Sequence, residues 1–420
     1  MKKLLITSAL ALILGAVSAH AAGYQLAEYS ITNLGRAFSG VGLVGDDFSA
    51  LGYNPAGMSF NETNGFQMGA TMVGIGSRVT GSASGYYNIP GGARSGTDKP
   101  YVARVLPNTF GQYKVNDIVT VGLGVYVPFG LATDYGKNWF GNTHALLSEI
   151  QAINVSPAVA VKLGAGWSLG AALNIQYTEA NLTSAIERKM GGDIYYLGGK
   201  SDLKGDDTKV GFTVGAAYEP MEGTRFGLSY RSQVTHKLRG SNTVSGLPSG
   251  NGRSDIHAKV ITPQTITLSA NQVINEQWSA SASVRWTNWR AFDELVIKNN
   301  VDGSTLSRTQ EDWRDNWFYA LGTDYKLNAE WTFRAGVAYD FAAARTANRT
   351  ARIPDSDRIW TSVGASWTHG SWQVDVGYAH LFIQKCTATH SPGNPGDFST
   401  FNATYKSRAD IVGVGVQYKF

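Results

Sequence analysis

The sequence predicts an all-β fold, a transmembrane antiparallel β-barrel of about 14 strands with an N-terminal plug, or hatch, inside the lumen. The first observation is the end of the chain, DIVGVGVQYKF from Asp410 to Phe420, where apolar residues alternate with glycine or polar residues up to a final aromatic. This alternation is typical of a strand with one face in lipid. The second is composition, because 49 Gly, 20 Tyr, 17 Phe and 11 Trp accompany only 16% charged residues.

The start of the chain predicts export. Lys2 and Lys3 precede an apolar run from Leu4 to Val17, and Ala19-His20-Ala21 offers a small-x-small cleavage site. The run is shorter than the roughly 20 residues that a spanning helix needs, so it indicates a secretory signal peptide and not an anchor. We therefore assign residues 1–21 to the signal peptide and expect a bacterial outer-membrane protein.

Alternating apolar and polar residues mark the candidate strands, whose even number suits a single-chain barrel. They lie at 65–80, 99–114, 117–129, 150–165, 166–181, 208–221, 222–238, 258–275, 276–291, 312–326, 329–344, 357–370, 371–386 and 405–420. We assign residues 63–420 to the barrel. Short turns alternate with long polar segments, which we expect to be extracellular loops. The long segments cover 81–100, 130–149, 183–207, 239–257, 297–311, 342–357 and 387–405.

Residues 22–62 precede the first strand and are predicted to form the hatch. They contain apolar side chains that a folded plug would bury, at Leu34, Phe38, Leu43, Phe48, Leu51 and Met58. The alternative is a disordered periplasmic extension, since the segment is also rich in Gly, Ser, Ala and Asn.

Several functional classes lack support in the sequence. Net charge is +4, and about +2 after loss of Lys2 and Lys3, so no nucleic-acid partner is predicted. The single cysteine, Cys386, rules out an intramolecular disulfide. The seven histidines show no metal-binding spacing, and no GxSxG motif occurs, so we predict no metal, cofactor or catalytic residue.

Two further motifs have a structural and a functional interpretation. The pattern from Gly40 to Gly45 matches GxGxxG but lacks the strand and crossover helix of a dinucleotide site, so we interpret the glycines as turns. Pro128-Phe129-Gly130 ends a strong strand pattern, and proline donates no ladder hydrogen bond. It is either a strand terminus or a kink that opens a lateral gap in the wall.

The residues also carry a family resemblance over essentially the whole mature chain. In chain order, the matching stretches are Ala22-Gly-Tyr-Gln-Leu-Ala-Glu28, Leu34-Gly-Arg-Ala-Phe-Ser-Gly40, Asp46-Asp47, Asn54-Pro-Ala56, Gly130-Leu-Ala-Thr-Asp-Tyr135, Ile186-Glu-Arg188, Trp286-Thr-Asn-Trp289, Trp331-Thr-Phe-Arg-Ala-Gly336 and Ile353-Pro-Asp-Ser-Asp-Arg358. In this order and spacing the chain resembles the FadL-type long-chain fatty acid transporters of the outer membrane. The resemblance implies a monomeric barrel occluded by a hatch and uptake by diffusion.

In that family the ligand meets an apolar groove among the extracellular loops, passes to an inner pocket and leaves sideways after the N-terminus of the hatch moves. The resemblance assigns the lateral exit to the kink at Pro128-Phe129-Gly130. It assigns the moving N-terminus to Ala22-Gly23-Tyr24 and the hatch contact at the kink to Asn54-Pro55-Ala56.

The resemblance also implies basic residues for the ligand carboxylate. Arg188 matches one of them, and an arginine suits this role because its planar fork grips both oxygens. A second family lysine falls at Thr309, and we expect the adjacent Arg308 to substitute. Without the resemblance, Arg188 would be interpreted as an ordinary solvated charge.

We therefore expect passive uptake of long-chain fatty acids, with neutral aromatic hydrocarbons or other hydrophobic compounds as the alternative cargo of the same fold. Outer-membrane lipid and the barrel assembly machinery are the other expected partners, with Phe420 as the membrane-insertion signal. A lumen enzyme, a surface adhesin and a phage receptor remain open as different classes.

Overall fold

The computed structural model describes residues 23–391 and 398–420. The predicted signal peptide and Ala22 lie outside the described residues. The chain forms one antiparallel sheet that closes on itself, because β1 pairs with β20 from Gly65 opposite Lys419 to Ser84 opposite Thr400. No helix within the described ranges is long and apolar enough to cross a membrane.

The sheet contains twenty segments in chain order. They are β1 Gly65–Ser84, β2 Ala93–Asp98, β3 Tyr101–Lys114, β4 Val119–Asp134, β5 Leu147–Gly164, β6 Trp167–Met190, β7 Asp193–Met221, β8 Thr224–Arg231, β9 Val234–Ser245, β10 Gly252–Thr262, β11 Thr265–Val273, β12 Trp278–Thr287, β13 Glu294–Asn299, β14 Thr305–Gln310, β15 Asn316–Lys326, β16 Trp331–Asp340, β17 Arg358–His369, β18 Trp372–Ile383, β19 Cys386–His390 and β20 Thr400–Lys419. The helices are short: α1 Ile31–Gly35, α2 Ala50–Tyr53, and 3₁₀ turns at Pro55–Phe60, Pro90–Gly92, Trp289–Ala291 and Thr346–Asn348.

The predicted fold is confirmed, because the twenty segments build a closed barrel of 14 strands. Six consecutive pairs of segments each form one wall strand with an internal break: β2 with β3, β8 with β9, β10 with β11, β12 with β13, β14 with β15, and β18 with β19. Side chains alternate across the wall as lipid on one side and packed interior on the other require. On β20, for example, Ile411 is fully buried whereas Val412 and Val414 are 42% and 51% exposed.

The long polar segments are not mainly irregular loops, because strands extend into most of them. In the expected loop 183–207, β6 continues to Met190 and β7 starts at Asp193, so the connection is a two-glycine turn. The polar side chains there hid the strand alternation. Strand pairing nevertheless continues, with Leu182 opposite Leu203, because it satisfies the backbone N–H and C=O groups.

The segment before β1 packs inside the barrel. The six apolar side chains expected to be buried in the hatch are all at most 1% exposed. Wall glycines let the hatch backbone approach closely: a Cβ at Gly170 would lie 2.2 Å from the Ala56 nitrogen, and one at Gly336 would lie 2.3 Å from the Arg36 carbonyl. Hatch and wall are therefore fitted to each other at backbone level.

The GxGxxG stretch lies in the turns of the hatch. Gly40, Gly42 and Gly45 have φ values of 62°, 75° and 80°, in the left-handed region that glycine tolerates without strain. No parallel crossover unit accompanies these turns in the described chain, whose barrel pairings are all antiparallel. The interpretation of the glycines as turns agrees with this geometry.

Candidate functional site

The wall is irregular at β4, on the side that faces β3. These two strands pair only from Thr109 opposite Val125 to Lys114 opposite Thr120. Beyond that point the described β4 has no ladder with β3, and its pairing with β5 slips between Tyr126 and Phe129. Proline supplies no N–H to a ladder, which accounts for an irregularity here. The residues Pro128-Phe129-Gly130 thus lie beside a gap in the hydrogen-bonded wall.

The first described residues of the hatch cover this part of β4. The Gly130 N–H donates to the Tyr24 carbonyl at 2.8 Å, and the Leu26 N–H donates to the Pro128 carbonyl at 2.8 Å. Gln25 lies opposite Phe129 in an antiparallel bridge between these two bonds. The N-terminal segment therefore acts as a short extra strand on the kink.

An aromatic pocket holds the same segment. Tyr24 is fully buried, with its ring centroid 4.6 Å from that of Trp289, 5.7 Å from Phe292, 5.9 Å from Trp313 and 6.2 Å from Phe129. Its hydroxyl donates to the Ile261 carbonyl at 2.5 Å. These contacts anchor the segment by ring packing in addition to its main-chain bonds.

Gly23 fits between the two indoles of this pocket. Its φ is +65°, and a Cβ there would lie 2.5 Å from the Trp313 ring and 2.7 Å from the Trp289 ring. Glycine therefore meets both a conformational and a steric requirement at this position. Ala22, the third residue assigned to the moving N-terminus, lies outside the described residues.

The predicted contact of Asn54-Pro55-Ala56 with the kink is wrong. The Asn54 side chain donates to the Ala216 carbonyl of β7 at 3.1 Å, and its Oδ1 caps the Ala56 N–H at 3.1 Å. Pro55 and Ala56 face Gly170 of β6. This turn fits where wall glycines leave room for it, whereas residues 24–26 occupy the kink.

A cavity of about 270 Å³ lies between β6, β7, β9 and β14. It is close to the rim of the barrel where the two-glycine turn joins β6 to β7. Its lining combines apolar side chains with two arginines, Arg188 and Arg352. The apolar residues include Ile186, Leu203, Val244, Leu247, Leu306 and Phe401. Arg188 is exposed on β6, so the cavity offers a guanidinium beside an apolar surface.

Arg308 does not line this cavity. Its neighbours Ser307 and Thr309 do, whereas the Arg308 guanidinium pairs with Glu294 on β13, with Nε 2.9 Å from a carboxylate oxygen. Successive side chains of a strand point to opposite faces. Ser307 and Thr309 face the cavity, so Arg308 between them points away from it. The structure therefore brings Arg188, but not Arg308, to the candidate ligand site.

Arg352 supplies the second cavity cation and was missed from the sequence. Its Nη1 donates to the Ser148 hydroxyl at 3.1 Å and lies 3.4 Å from the Thr183 carbonyl. The next residue, Ile353, is buried in the same hydrophobic cluster as Tyr24. The only sequence signal for Arg352 was its place directly before the family stretch that begins at Ile353.

A buried carboxyl lies at the pocket. Glu311 is in the break between β14 and β15, 3% exposed, and accepts from the Trp313 indole N–H at 2.8 Å. Burial raises the pKa of Glu311 to about 8, with the Trp313 hydrogen bond and the charge of Arg352 opposing the rise. The carboxyl is therefore mainly protonated near neutral pH.

Phe420 follows β20, is 66% exposed, and its N–H donates to the Asn64 carbonyl at 3.0 Å. Its ring centroid is 6.2 Å from that of Tyr418. Within residues 23–391 and 398–420, no group of three or more His, Cys, Asp or Glu residues is placed to hold a metal ion.

Comparison with known proteins gives matches over nearly the whole chain. Residues 12–420 match the family described as outer membrane protein transport protein (OMPP1/FadL/TodX). The chain is 28% identical over 457 residues to the long-chain fatty acid transport protein of Escherichia coli O6:H1, covering 100% of this chain and 99% of that protein. It is 31% identical over 451 residues to a 47 kDa outer membrane protein of Pasteurella multocida, covering 99% and 98%.

Solved structures share the architecture. A FadL homologue of Pseudomonas aeruginosa has a TM-score of 0.87 at 25% identity, covering 95% of this chain and 100% of that one. The Ralstonia pickettii toluene transporter TbuX has the same fold, with a TM-score of 0.67 at 18% identity and coverage of 93% and 98%. The chain therefore belongs to the outer membrane protein transport protein family (OMPP1/FadL/TodX), and it is a β-barrel transporter of the bacterial outer membrane and not an enzyme.

Proposed function

We propose that this transporter carries long-chain fatty acids passively across the outer membrane. The observation that carries the proposal is the meeting of Arg188 and Arg352 with apolar side chains in one cavity. Burial of an acyl chain gains about 0.8 kcal/mol per CH2, while a carboxylate taken from water must be paired. A cavity with both features suits an amphipathic acid. Relatives named long-chain fatty acid transport proteins support the same cargo.

The proposed route runs from this cavity to the aromatic pocket and then to the wall. Ile353 follows the cavity residue Arg352 and belongs to the same buried cluster as Tyr24, which supports a path for the tail from the cavity to the N-terminal segment. Displacement of that segment would break its two main-chain bonds to β4 and uncover the irregular ladder at Pro128-Phe129-Gly130. A lateral exit there delivers the tail into lipid without passage through water.

Neutral aromatic hydrocarbons are the second candidate cargo. The pocket formed by Tyr24, Phe129, Trp289, Phe292 and Trp313 presents ring faces and edges that suit a small aromatic molecule. A neutral ligand, however, would form no ion pair with the two arginines of the cavity. The fatty acid is therefore the preferred cargo.

Uptake of labelled oleate and labelled toluene into cells without their own transporters tests the proposal. Arg188→Ala and Arg352→Ala should each lower oleate uptake at limiting concentration by roughly tenfold, the value of a charge-assisted hydrogen bond. The matched control is Arg308→Ala, which removes an arginine paired with Glu294 outside the cavity and should leave uptake near the wild-type level.

Toluene uptake that is high and unchanged in both cavity variants would indicate that the protein carries neutral hydrocarbons instead. Equal losses in all three variants would instead indicate a general effect on assembly. The amount of each folded variant in the outer membrane, measured in the same cells, separates this outcome from a loss of binding.

A further inference from the structure

Cations stand side by side on the outer face of the barrel, away from the transport route. Arg78 of β1 lies directly opposite Lys406 of β20, and both are exposed. Val79 pairs with Asp98 on β2 and Gly76 pairs with Tyr101 on β3, in one continuous register. Lys99, the residue after Asp98 toward the short-turn end, therefore lies beside Arg78. Lys99 is also exposed. Three adjacent wall strands therefore each present a cation at the same height.

A fourth cation continues the series on the other side of β20. Cys386 of β19 lies opposite Tyr405, so the exposed Lys385 that precedes it is the neighbour of Lys406. We call Lys385, Lys406, Arg78 and Lys99 the cation row. Among residues 23–391 and 398–420, none of the four has an ion pair or a side-chain hydrogen bond.

Such an arrangement is unfavourable without an anion. Like charges directly opposite each other on neighbouring strands destabilise a sheet. Here Arg78 faces Lys406, and each of these two also has a further cation, Lys99 or Lys385, on its other side. By contrast, two cations at the short-turn end share one anion: Lys114 and Lys162 both bind Glu62, with N–O distances of 2.7 Å and 3.1 Å. The cation row, unlike Lys114 and Lys162, has no carboxylate partner among residues 23–391 and 398–420.

The height of the cation row matches a lipid headgroup. Two residues below Lys406, the exposed Arg408 lies opposite Gly76, whose partner on β3 is Tyr101, 67% exposed. Below Arg408, the next outward side chain of β20 is Asp410, whose carboxylate is hydrogen-bonded to Tyr378 and His380. The outward side chains then become apolar, at Val412, Val414 and Val416. Exposed aromatics mark the interface of barrel and membrane. Two residues of a strand span about 6.6 Å, so the row lies just above that interface.

A polar cavity of about 320 Å³ adjoins the row, lined by Lys385 together with Arg314 and Arg349. Among the described residues, Asp357 is the one carboxylate that lines it, and it lies 3.6 Å from the Arg314 guanidinium. The surface beside the row is therefore also rich in cationic donors and has room for a headgroup.

We propose that the cation row binds the phosphate groups of an anionic lipid of the outer leaflet, with its acyl chains along the apolar outer face of β20. Lysine ammonium groups and the arginine fork are the side chains that bind phosphate oxygens. The bound phosphates neutralise the like-charged side chains of the cation row. The acyl chains add apolar contact with the lipid-facing side chains of β20 below the row. The lipid is a structural partner of the wall and differs from the transported ligand.

Lipid binding to the full mature chain, purified in detergent and followed by native mass spectrometry, tests this site. The probe is diphosphoryl lipid A, compared with its dephosphorylated form and with inorganic phosphate as competitor. The Arg78→Gln/Lys406→Gln variant should bind diphosphoryl lipid A at least about tenfold more weakly than wild type, since each cation at the membrane surface contributes a several-fold factor. Dephosphorylated lipid should bind both chains weakly and equally.

The matched control is Lys114→Gln/Lys162→Gln, which removes the same charge at the opposite rim. It should retain wild-type lipid affinity, and Lys406→Arg should do so as well. Equal affinity of wild type and the Arg78/Lys406 variant, or an equal loss in the control, would overturn the proposal. Displacement by inorganic phosphate at matched concentration would also overturn it, in favour of a site for free anions. If the double variant fails to assemble, Lys99→Gln and Lys385→Gln must each lower affinity.

Discussion

Arg36 of the hatch and Asp324 of β15 form an ion pair of 2.8 Å, in which the arginine side chain is 1% exposed. Asp46, also in the hatch, accepts from Arg36 and from Arg334 of β16. The middle of the hatch is thus tied to the wall by buried charges, whereas residues 24–26 are held at β4 by two main-chain bonds and ring packing. The middle of the hatch and its N-terminal segment are held by separate contacts, so displacement of the N-terminal segment does not require release of the whole plug.

Breaking the ion pair from one side should destabilise the protein. Asp324→Asn leaves Arg36 buried with less neutralising charge, and removal of one partner of a buried pair costs about 3–5 kcal/mol. We expect a lower midpoint in urea unfolding and a raised permeability to small polar solutes as the hatch loosens. The control is Lys162→Gln, which breaks an exposed pair with Glu62 and should cost about 1 kcal/mol or less. An Asp324→Asn midpoint equal to that of the control would contradict the anchoring role.

A reversible cross-link should close the exit. Gln25 and Phe129 face each other between two hydrogen bonds, and residues in such a pair have Cα atoms about 4.5 Å apart, within disulfide range. The Gln25→Cys/Phe129→Cys variant should take up oleate poorly when oxidised and recover when reduced. Each single cysteine variant carries the native Cys386 as well and serves as the control. Uptake that ignores the redox state of the double variant would count against a moving N-terminal segment.

Docking of the N-terminal segment should depend on pH through Glu311. Its folded pKa is raised from 4.5 to about 8, so the fold favours the protonated carboxyl. The stability that this provides is fully present below 4.5 and is lost as pH rises through about 8. Hydrogen-exchange protection of the Leu26 amide should therefore fall across this window in wild type. In Glu311→Gln, which stays neutral, protection should be flat, and parallel curves for the two proteins would refute the assignment.

Replacement of the terminal aromatic should slow assembly. Phe420 is 66% exposed and lies beside Tyr418 at the short-turn rim. The Phe420→Asp variant replaces this lipid-facing aromatic side chain with a charged one. We expect less folded protein in the outer membrane, measured by the mobility difference between heated and unheated samples. Phe420→Trp keeps an interfacial aromatic and should assemble normally. Normal outer-membrane levels of Phe420→Asp would show that this residue is not an insertion signal.

Much of the wall was predictable because a strand with one face in lipid carries a local pattern. The alternation of Val412, Val414 and Val416 with glycine and glutamine reports which face meets lipid without knowledge of any partner strand. The same reasoning failed where the strands extend beyond the membrane, as at residues 183–207. There apolar and polar residues no longer alternate regularly along the chain, although the ladder continues.

The site was only partly predictable, since its residues come from distant parts of the chain. The family resemblance pointed to Arg188, but Arg352 joins it only because the segment after β16 folds over the cavity. Arg308 is next to a cavity residue in sequence, yet strand alternation turns it toward Glu294. The position of the hatch relative to the kink was also not predictable from sequence. Asn54-Pro55-Ala56 packs against wall glycines of other strands, which leaves residues 24–26 to contact the kink.

The sequence by itself determined the class of this protein: export, an even-numbered lipid-facing barrel, a buried hatch and a family of transporters. These follow from periodicity, composition and ordered motifs, which are local properties of the chain. The tertiary structure decided which charges meet, which segment covers β4 and where the cation row stands. Those relationships depend on register and barrel closure, because residues hundreds of positions apart become neighbours only when the first and last strands pair.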